Sequence, residues 1–330
     1  MKQNTPHNSP NPDIPLSLAA LILKAAGDDL RSQILRILQR EAFGVLELCR
    51  IFDIRQPAMS HHLKILSKAG LVASRREGTC IFYRRSYNAQ DGLDALRQQI
   101  FIQLDQCTVS ARVDQGIAAI HRERAEQSQT FFRNNAARFG EQQDLIASYR
   151  QYGGSVVELI DALDLSASHT ALEVGPGEGE LLPELASRFE QVIALDNAAE
   201  MLDYSKALAE QKGIANIRFQ LGDIGALDGP VNADIVVMNM VLHHLARPAD
   251  TLKTIESLLN ERGILLITEL CQHDQEWAHS ACGDLWLGFC PEELTIWANT
   301  AGFDEGKSLF LSLRNGFRIQ VRQFLKSAAG

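Results

Sequence analysis

The residues of this chain best placed to do chemistry are Glu173, Gly175, Gly177 and Gly179, a carboxylate followed by three alternate glycines. They follow the apolar pair Ala171 and Leu172 and precede a helical pattern through Leu181, Leu182, Leu185 and Ala186. Glycine has no Cβ, so such a turn tolerates positive φ and lets the backbone come close beneath a ligand. Between a strand and a helix it suits a nucleotide-like molecule, and dinucleotide-binding domains use a similar turn. Two later acids narrow the ligand. Asp196 ends the apolar run Gln191 to Leu195, where a strand-end carboxylate can accept hydrogen bonds from both hydroxyls of a ribose. Asp223 stands after one more helix and strand, in Leu221-Gly222-Asp223-Ile224, and can accept a hydrogen bond from an adenine amino group.

In this order and spacing, the acids and glycines resemble the class I S-adenosylmethionine-dependent methyltransferases, over residues 150–303. The resemblance implies a Rossmann-like α/β domain that binds S-adenosylmethionine or S-adenosylhomocysteine. The implied cofactor-binding residues are Glu173, Gly175, Gly177, Gly179, Asp196, Asn197, Asp223, Ile224 and Asn239. The elements needed to hold them can be followed along the chain. Residues 233–239 read as the fourth buried strand and 264–269 as the fifth, with Asn239 to His244 at a strand's carboxyl end, where open α/β sheets bind ligands. Asn315-Gly316, between alternating Leu309, Leu311, Leu313 and Phe317, Ile319, Val321, predicts a hairpin. An antiparallel terminal strand is the usual finish of the family.

Methyl transfer from a sulfonium is a displacement accelerated mainly by alignment and exclusion of water, so a cofactor site does not name the methyl acceptor. The run Asn239-Met240-Val241-Leu242-His243-His244-Leu245 lacks the Asn/Asp-Pro-Pro-aromatic arrangement used to grip a flipped base, which argues against DNA adenine methylation. His243 and His244 can act as general bases, but the Leu-His-His-Leu pattern is common in methyltransferases of diverse substrates, and the architectural reading is preferred. The irregular spacing of Cys271, Cys282 and Cys290 argues against thiolate capture of arsenic. No catalytic residue is assigned.

A second group of candidate residues lies near the start of the chain. From Arg55 to Asn88 there are seven Lys/Arg and one acid, a local charge of +6 in a chain of net charge −9. Phosphate contacts need local positive potential rather than a basic protein, so the segment is a nucleic-acid candidate. Leu16 to Ala26 reads as an apolar helix broken and capped at Gly27-Asp28, and Leu30, Ile34, Leu35 and Leu38 continue at helical spacing. Val45, Leu48, Cys49 and Phe52 predict a short helix, Asp53-Ile54 a tight turn, and Pro57 the first turn of the next helix. In that helix Met59, Leu63 and Leu66 form an inward stripe, leaving Gln56, Ser60, His61 and Lys64 outward, where they can reach bases or phosphates. The stretches 72–76 and 80–85 predict two strands of a basic wing carrying Arg75 and Arg76.

Gln56 to Val72 is similar to the recognition helix of ArsR-type winged-helix repressors, and the resemblance covers residues 16–88. It implies double-stranded DNA as partner, with Gln56, Ser60, His61, Lys64, Arg75 and Arg76 as its contacts. It also implies a homodimer, paired through the helix of Leu93, Leu96, Ile100 and Leu104, reading an inverted repeat. Metal-sensing members carry a Cys-x-Cys pair before the recognition helix. Here Cys49 stands alone and reads as a small buried hydrophobe, the helix after the wing has no His, and no metal site is expected.

The expected architecture is α/β. A winged helix-turn-helix of α+β type precedes a Rossmann-like class I methyltransferase domain. The expected divisions are a tail over 1–15, a DNA-binding and dimerisation domain over 16–108, a helical linker and lid over 109–150, and the methyltransferase domain over 151–330. A further helix through Val113, Ile117 and Ile120 is expected to end in the charged run His121 to Glu126, read as the connector, and Phe131 to Tyr149 resembles the helical lid of small-molecule methyltransferases. No apolar run reaches membrane-spanning length, the start lacks an apolar signal core, and the six cysteines show no C-x-x-C spacing, which together imply a cytoplasmic protein with reduced thiols. The functional expectation is a repressor with S-adenosylmethionine or S-adenosylhomocysteine as effector, acting on methionine-cycle genes as fused regulators of this resemblance do. The alternative is an active small-molecule methyltransferase whose DNA-binding domain regulates its own operon.

Overall fold

The computed structural model describes residues 15–77, 80–87, 91–135, 138–163, 169–225, 227 and 231–328. The expected tail, up to residue 14, and the tip of the wing, Gly78-Thr79, lie outside the described residues. The chain divides into two compact units, Met1–Ile120 and His121–Gly330.

The first unit opens with α1 (Leu16–Ala26) and α2 (Asp29–Ile37). The Asp28 carboxylate accepts the Arg31 N–H at 3.0 Å and caps α2. The two-residue strand β1 (Phe43–Gly44) leads into α3 (Val45–Phe52), where Glu47 reaches back to accept the Gly44 N–H at 2.7 Å. Asp53 closes α3 in the left-handed conformation, φ 52°, and so makes the tight turn into α4 (Gln56–Lys68). The wing strands β2 (Val72–Glu77) and β3 (Cys80–Arg85) pair antiparallel, and β1 adds to the far side of β3. Ile34, Leu35, Leu48, Met59, Leu63 and Leu66 are fully buried together and make the core.

The helix after the wing, α5 (Asp94–Asp105), is tied down by two buried arginines. Arg85 of β3 donates to the Leu35 carbonyl at 2.7 Å and to Asp105 at 2.6 Å. Arg97 of α5 donates to Asp91 at 2.7 Å and to the Ala69 carbonyl at 3.2 Å, just past the end of α4. A buried guanidinium left unpaired is costly, so these pairs fix where wing and recognition helix stand against α5. The Arg97 hydrogen bond holds the Asp91 carboxyl down at about 2, below its ordinary range. A carboxyl whose folded pKa is depressed stabilises the fold above its unfolded pKa, and that contribution is lost as pH falls from about 4 towards 2. The expected size is about 1 kcal/mol after allowance for solvent screening. Denaturant unfolding followed between pH 5 and 2 should show this loss, and Asp91→Asn should flatten it.

The next helix departs from the sequence reading. The charged run His121 to Glu126 is no break: α6 runs from Ala111 to Asn135 without interruption, and the division between the units falls inside it. Charged residues with good helix propensity carry a helix through a solvated stretch as readily as they make a loop.

The second unit continues through α7 (Phe139–Ile146) and α8 (Tyr149–Asp161) into a seven-stranded sheet. Its strands are β4 (Thr170–Val174), β5 (Gln191–Asp196), β6 (Ile217–Leu221), β7 (Ala233–Asn239), β8 (Leu259–Leu270), β9 (Phe303–Ser312) and β10 (Arg318–Lys326). Five helices connect or flank them: α9 (Leu182–Ala186), α10 (Ala199–Gln211), α11 (Pro248–Leu258), α12 (Trp277–Ala281) and α13 (Pro291–Ala301). The spatial order is β6-β5-β4-β7-β8-β10-β9, parallel through β8 and antiparallel at β10 and β9. Parallel strands covered on both faces require continuous apolar runs, and Ile235, Val236, Val237 and Met238 of β7 are fully buried. The Asn315-Gly316 turn joins β9 to β10, with Gly316 at φ 91°. The chain reverses its winding between β4 and β7, so a crevice opens at the carboxyl ends of those two strands.

Candidate cofactor site and DNA-reading face

That crevice is a cavity of about 780 Å³, and all nine residues singled out from the sequence for the cofactor line it, except Gly179. Glu173, second to last in β4, is buried to 2% exposure, and its Oε2 finds no hydrogen-bond partner among the described residues. Burial pushes its carboxyl up to about 8, the Asn239 side chain pulling slightly the other way. Gly175, Gly177 and Gly179 all have positive φ, at 65°, 56° and 84°. A Cβ on Gly175 would stand 2.6 Å from the Val241 side chain, so both the conformation and the packing demand glycine there. Gly179 packs instead against Leu182 of α9 and the middle of α10, where a Cβ would come within 3.1 Å of Ser205 Cα, and the Gly177 carbonyl accepts the Ser205 hydroxyl at 2.7 Å.

Asp196 ends β5 and accepts the Ala198 N–H at 2.8 Å through one oxygen, Oδ1. Burial pushes its carboxyl up to about 6 against the pull of backbone N–H groups. The exposed Asn197 donates to Asp223 Oδ1 at 3.0 Å, which brings the second and third acids of the pattern to one rim, with Ile224 beside them. Asn239 ends β7 and accepts the Thr268 hydroxyl at 2.7 Å. The next residue, Met240, is held at φ 54°, its N–H bonded to the Thr268 carbonyl at 2.8 Å. A side chain of this size in the left-handed region marks local strain in the wall of the cavity.

Further aromatic residues line the cavity, two of them, Phe132 and Tyr149, from the segment expected to form a lid. Tyr149 and Tyr152 of α8 stack edge to face at 5.6 Å against the cavity, and burial followed by the nearby acids, Glu173 and Glu180 among them, pushes both phenols up. Their spacing of three residues on a helix was legible, but not what that helix would cover. Phe132 of α6, from the expected lid segment, lines the cavity and meets the His244 ring at 4.9 Å.

The His pair is placed by burial. His243 and His244 form a single 3-10 turn, and His243 is wholly enclosed. His243 Nδ1 donates to Glu269 Oε1 at 2.6 Å, while Asp284, from the loop after α12, brings Oδ1 to 3.7 Å from His243 Nε2 and 4.0 Å from His244 Nδ1. Burial alone would lower the His243 pKa, but the charges of Glu269 and Asp284 raise it. Burial and the neighbouring His243 push His244 down. All six cysteines are free, and Cys49 is half-buried rather than enclosed, its thiol pushed up by desolvation.

In the first unit the two faces of α4 separate cleanly. Met59, Leu63 and Leu66 are fully buried, and Gln56, Ser60, His61 and Lys64 are exposed along the opposite side. Arg76 is exposed and Arg75 half-buried on β2. The α4 residues make a row along one helix face.

Comparison with known proteins identifies both parts. Residues 28–74 match the family model described as bacterial regulatory protein, arsR family, and residues 165–300 the model described as methyltransferase domain. The HTH-type transcriptional regulator MJ1325 of Methanocaldococcus jannaschii is 48% identical over 68 residues, 20% of this chain and 74% of that protein. The transcriptional activator HlyU of Vibrio cholerae is 33% identical over 88 residues, 27% of this chain and 82% of that protein. The methyltransferase YcgJ of Bacillus subtilis is 25% identical over 112 residues, 34% of this chain and 44% of that protein, so the chain spans less than half of that relative's length. Among the described residues no helix is long and apolar enough to cross a membrane. With a helix-turn-helix that matches regulators over most of their length, ahead of the glycine turn and switch-point cavity of a second domain, the chain belongs to the ArsR family of bacterial regulatory proteins and carries a class I methyltransferase domain fused behind its DNA-binding domain.

Proposed function

We propose that this protein is a DNA-binding repressor, working as a homodimer on an inverted-repeat operator, in which the methyltransferase domain binds S-adenosylmethionine or S-adenosylhomocysteine as an effector. Its genes would be those of the methionine cycle, and its location the cytoplasm. The observation that carries this reading is Glu173 Oε2, without a hydrogen-bond partner among the described residues, in a cavity that also holds the Gly175 turn, Asp196 and the Asn197–Asp223 pair. An aminoacyl nucleoside fits that set. Its ammonium would satisfy the buried carboxylate, its ribose hydroxyls Asp196, its adenine the Asp223 rim, and positive-φ glycines leave room for close approach. A bound sulfonium cofactor would supply an activated methyl group. The residues of this chain would bind it, orient it and, with Tyr149, Tyr152 and Phe132, exclude water.

Regulation by such a ligand requires unequal affinity for the DNA-bound and free states, and the coupling is reciprocal. Calorimetric titration of each nucleoside into the full-length protein, repeated with its upstream promoter DNA, tests this. The reading expects affinity to differ by roughly 5- to 150-fold between the two titrations. Equal affinities would sink the effector role. Tight binding indifferent to DNA would favour an active small-molecule methyltransferase with an autoregulatory DNA-binding domain. That second reading draws support from the cavity's continuation past the nucleotide side to His244, Arg247 and Thr251.

A further inference from the structure

The two buried carboxylates beside the His pair are treated very differently by the fold. Glu269 is fully provided for: it accepts the His243 Nδ1–H at 2.6 Å, the His243 backbone N–H at 3.1 Å and the Leu270 backbone N–H at 2.6 Å. Asp284 is equally enclosed, at 2% exposure, yet neither of its carboxylate oxygens has a hydrogen-bond partner among the described residues. A buried carboxylate without donors costs several kcal/mol in desolvation and is normally retained only where a cation answers it. Two imidazole nitrogens stand beside its Oδ1, His243 Nε2 at 3.7 Å and His244 Nδ1 at 4.0 Å.

From this geometry we propose that His243, His244 and Asp284 bind one divalent transition-metal ion of the zinc class. One donor atom from each lies within 4.8 Å of the other two, in a buried cluster. Bonds of about 2.0–2.2 Å to zinc would draw these atoms inward by small side-chain rotations. Two imidazoles and a carboxylate are the donor set that borderline divalent metals prefer. Glu269 completes the pattern: by accepting the Nδ1–H of His243 it fixes the tautomer that turns the Nε2 lone pair towards Asp284. Metal-binding histidines are commonly oriented by such a carboxylate. His244 Nδ1 now lies 3.3 Å from the Gly283 carbonyl, a long contact that coordination would replace. The charges also close. With both imidazoles neutral, one divalent cation balances Asp284 and Glu269, whereas a single proton on His243 leaves one buried negative charge. Three protein ligands leave a fourth position for water or a second molecule, and His244 lines the cavity.

The site depends on neither nucleoside binding nor turnover, and its test needs neither. The full-length protein with its exposed thiols replaced, Cys80→Ser and Cys107→Ser, is stripped with chelator. It is then titrated with Zn²⁺ by calorimetry and with Co²⁺ by visible absorption. One equivalent should bind, with the Co²⁺ bands of a nitrogen and oxygen ligand set and no thiolate charge-transfer band. Asp284→Asn, nearly isosteric, should weaken binding at least about 100-fold, and Glu269→Gln by roughly 10- to 100-fold through the His243 orientation. Zn²⁺ should raise the unfolding temperature of the parent protein and not that of Asp284→Asn. Circular dichroism of the metal-free variants confirms that each is folded, and the Asp284→Asn result decides if Glu269→Gln is not. Absence of saturable binding, or binding undiminished in Asp284→Asn, would overturn the proposal and leave protons as the occupants of the cluster. Failure of the nucleoside reading would show separately, as unchanged nucleoside affinity in Asp196→Ala.

Discussion

Asp196→Ala is expected to weaken S-adenosylmethionine and S-adenosylhomocysteine binding by roughly 100-fold while leaving the stability of the DNA-binding unit unchanged. Asp196 sits at the carboxyl end of β5, and its Oδ1 already accepts the Ala198 N–H. Its role towards a ribose would be to accept two hydroxyl protons. Hydrogen bonds to a charged group contribute about 1.5–3 kcal/mol each, so losing both costs about 3 kcal/mol or more, which is about 100-fold in affinity. The same carboxyl gives the wild-type protein a pH signature. Burial pushes it up to about 6, and only its ionised form accepts both hydroxyls, so affinity should rise with pH through about 6 and level off above, and this step should vanish in Asp196→Ala. Calorimetry of parent and variant between pH 5 and 8 measures both effects. An unchanged affinity in the variant would remove Asp196 from the site and the nucleoside reading with it.

The second large effect separates two adjacent residues of α4. Leu63 is fully buried in the core of the first unit, whereas Lys64 is exposed. Leu63→Ala removes buried methyl groups and leaves a cavity, and should destabilise the unit by about 2–5 kcal/mol. Lys64→Ala should stay within about 0.5 kcal/mol of the parent in stability. Its effect belongs to DNA instead: if Lys64 neutralises a phosphate, the slope of log affinity against log salt should fall by about 1, uniformly across operator variants. Denaturant unfolding and salt-dependent fluorescence anisotropy on promoter DNA measure the two. A stable Leu63→Ala would contradict the assigned core, and an unchanged salt slope in Lys64→Ala would move the phosphate contact elsewhere, with Arg75 and Arg76 of the wing next to be examined.

Local sequence carried much of this protein because many of its elements are short-range problems. The α4 stripe of Met59, Leu63 and Leu66, the Asp28 cap, the Gly316 turn and the apolar β7 run each depend on neighbours within a few residues, so periodicity and turn chemistry suffice to read them. The charged run His121 to Glu126 begins where the two units divide but does not end the helix, because polarity marks solvent and not a helix terminus, and α6 passes straight through it. The strand β1, two residues long, pairs with β3 across nearly forty residues and had no pattern of its own.

What the sequence determined by itself was which residue types the turn of residues 173–179 and the helix of residues 56–68 require, since φ above zero admits glycine and an amphipathic helix admits one apolar face. The tertiary structure alone decided which distant groups became neighbours. The order β4-β7 at the switch point joined Glu173 to Asn239, and the loop after α12 carried Asp284 to a His pair some forty residues earlier. Those meetings follow from chain crossings and long-range packing, and no spacing along the chain encodes them, because a buried charge responds to whatever encloses it rather than to its sequence neighbours.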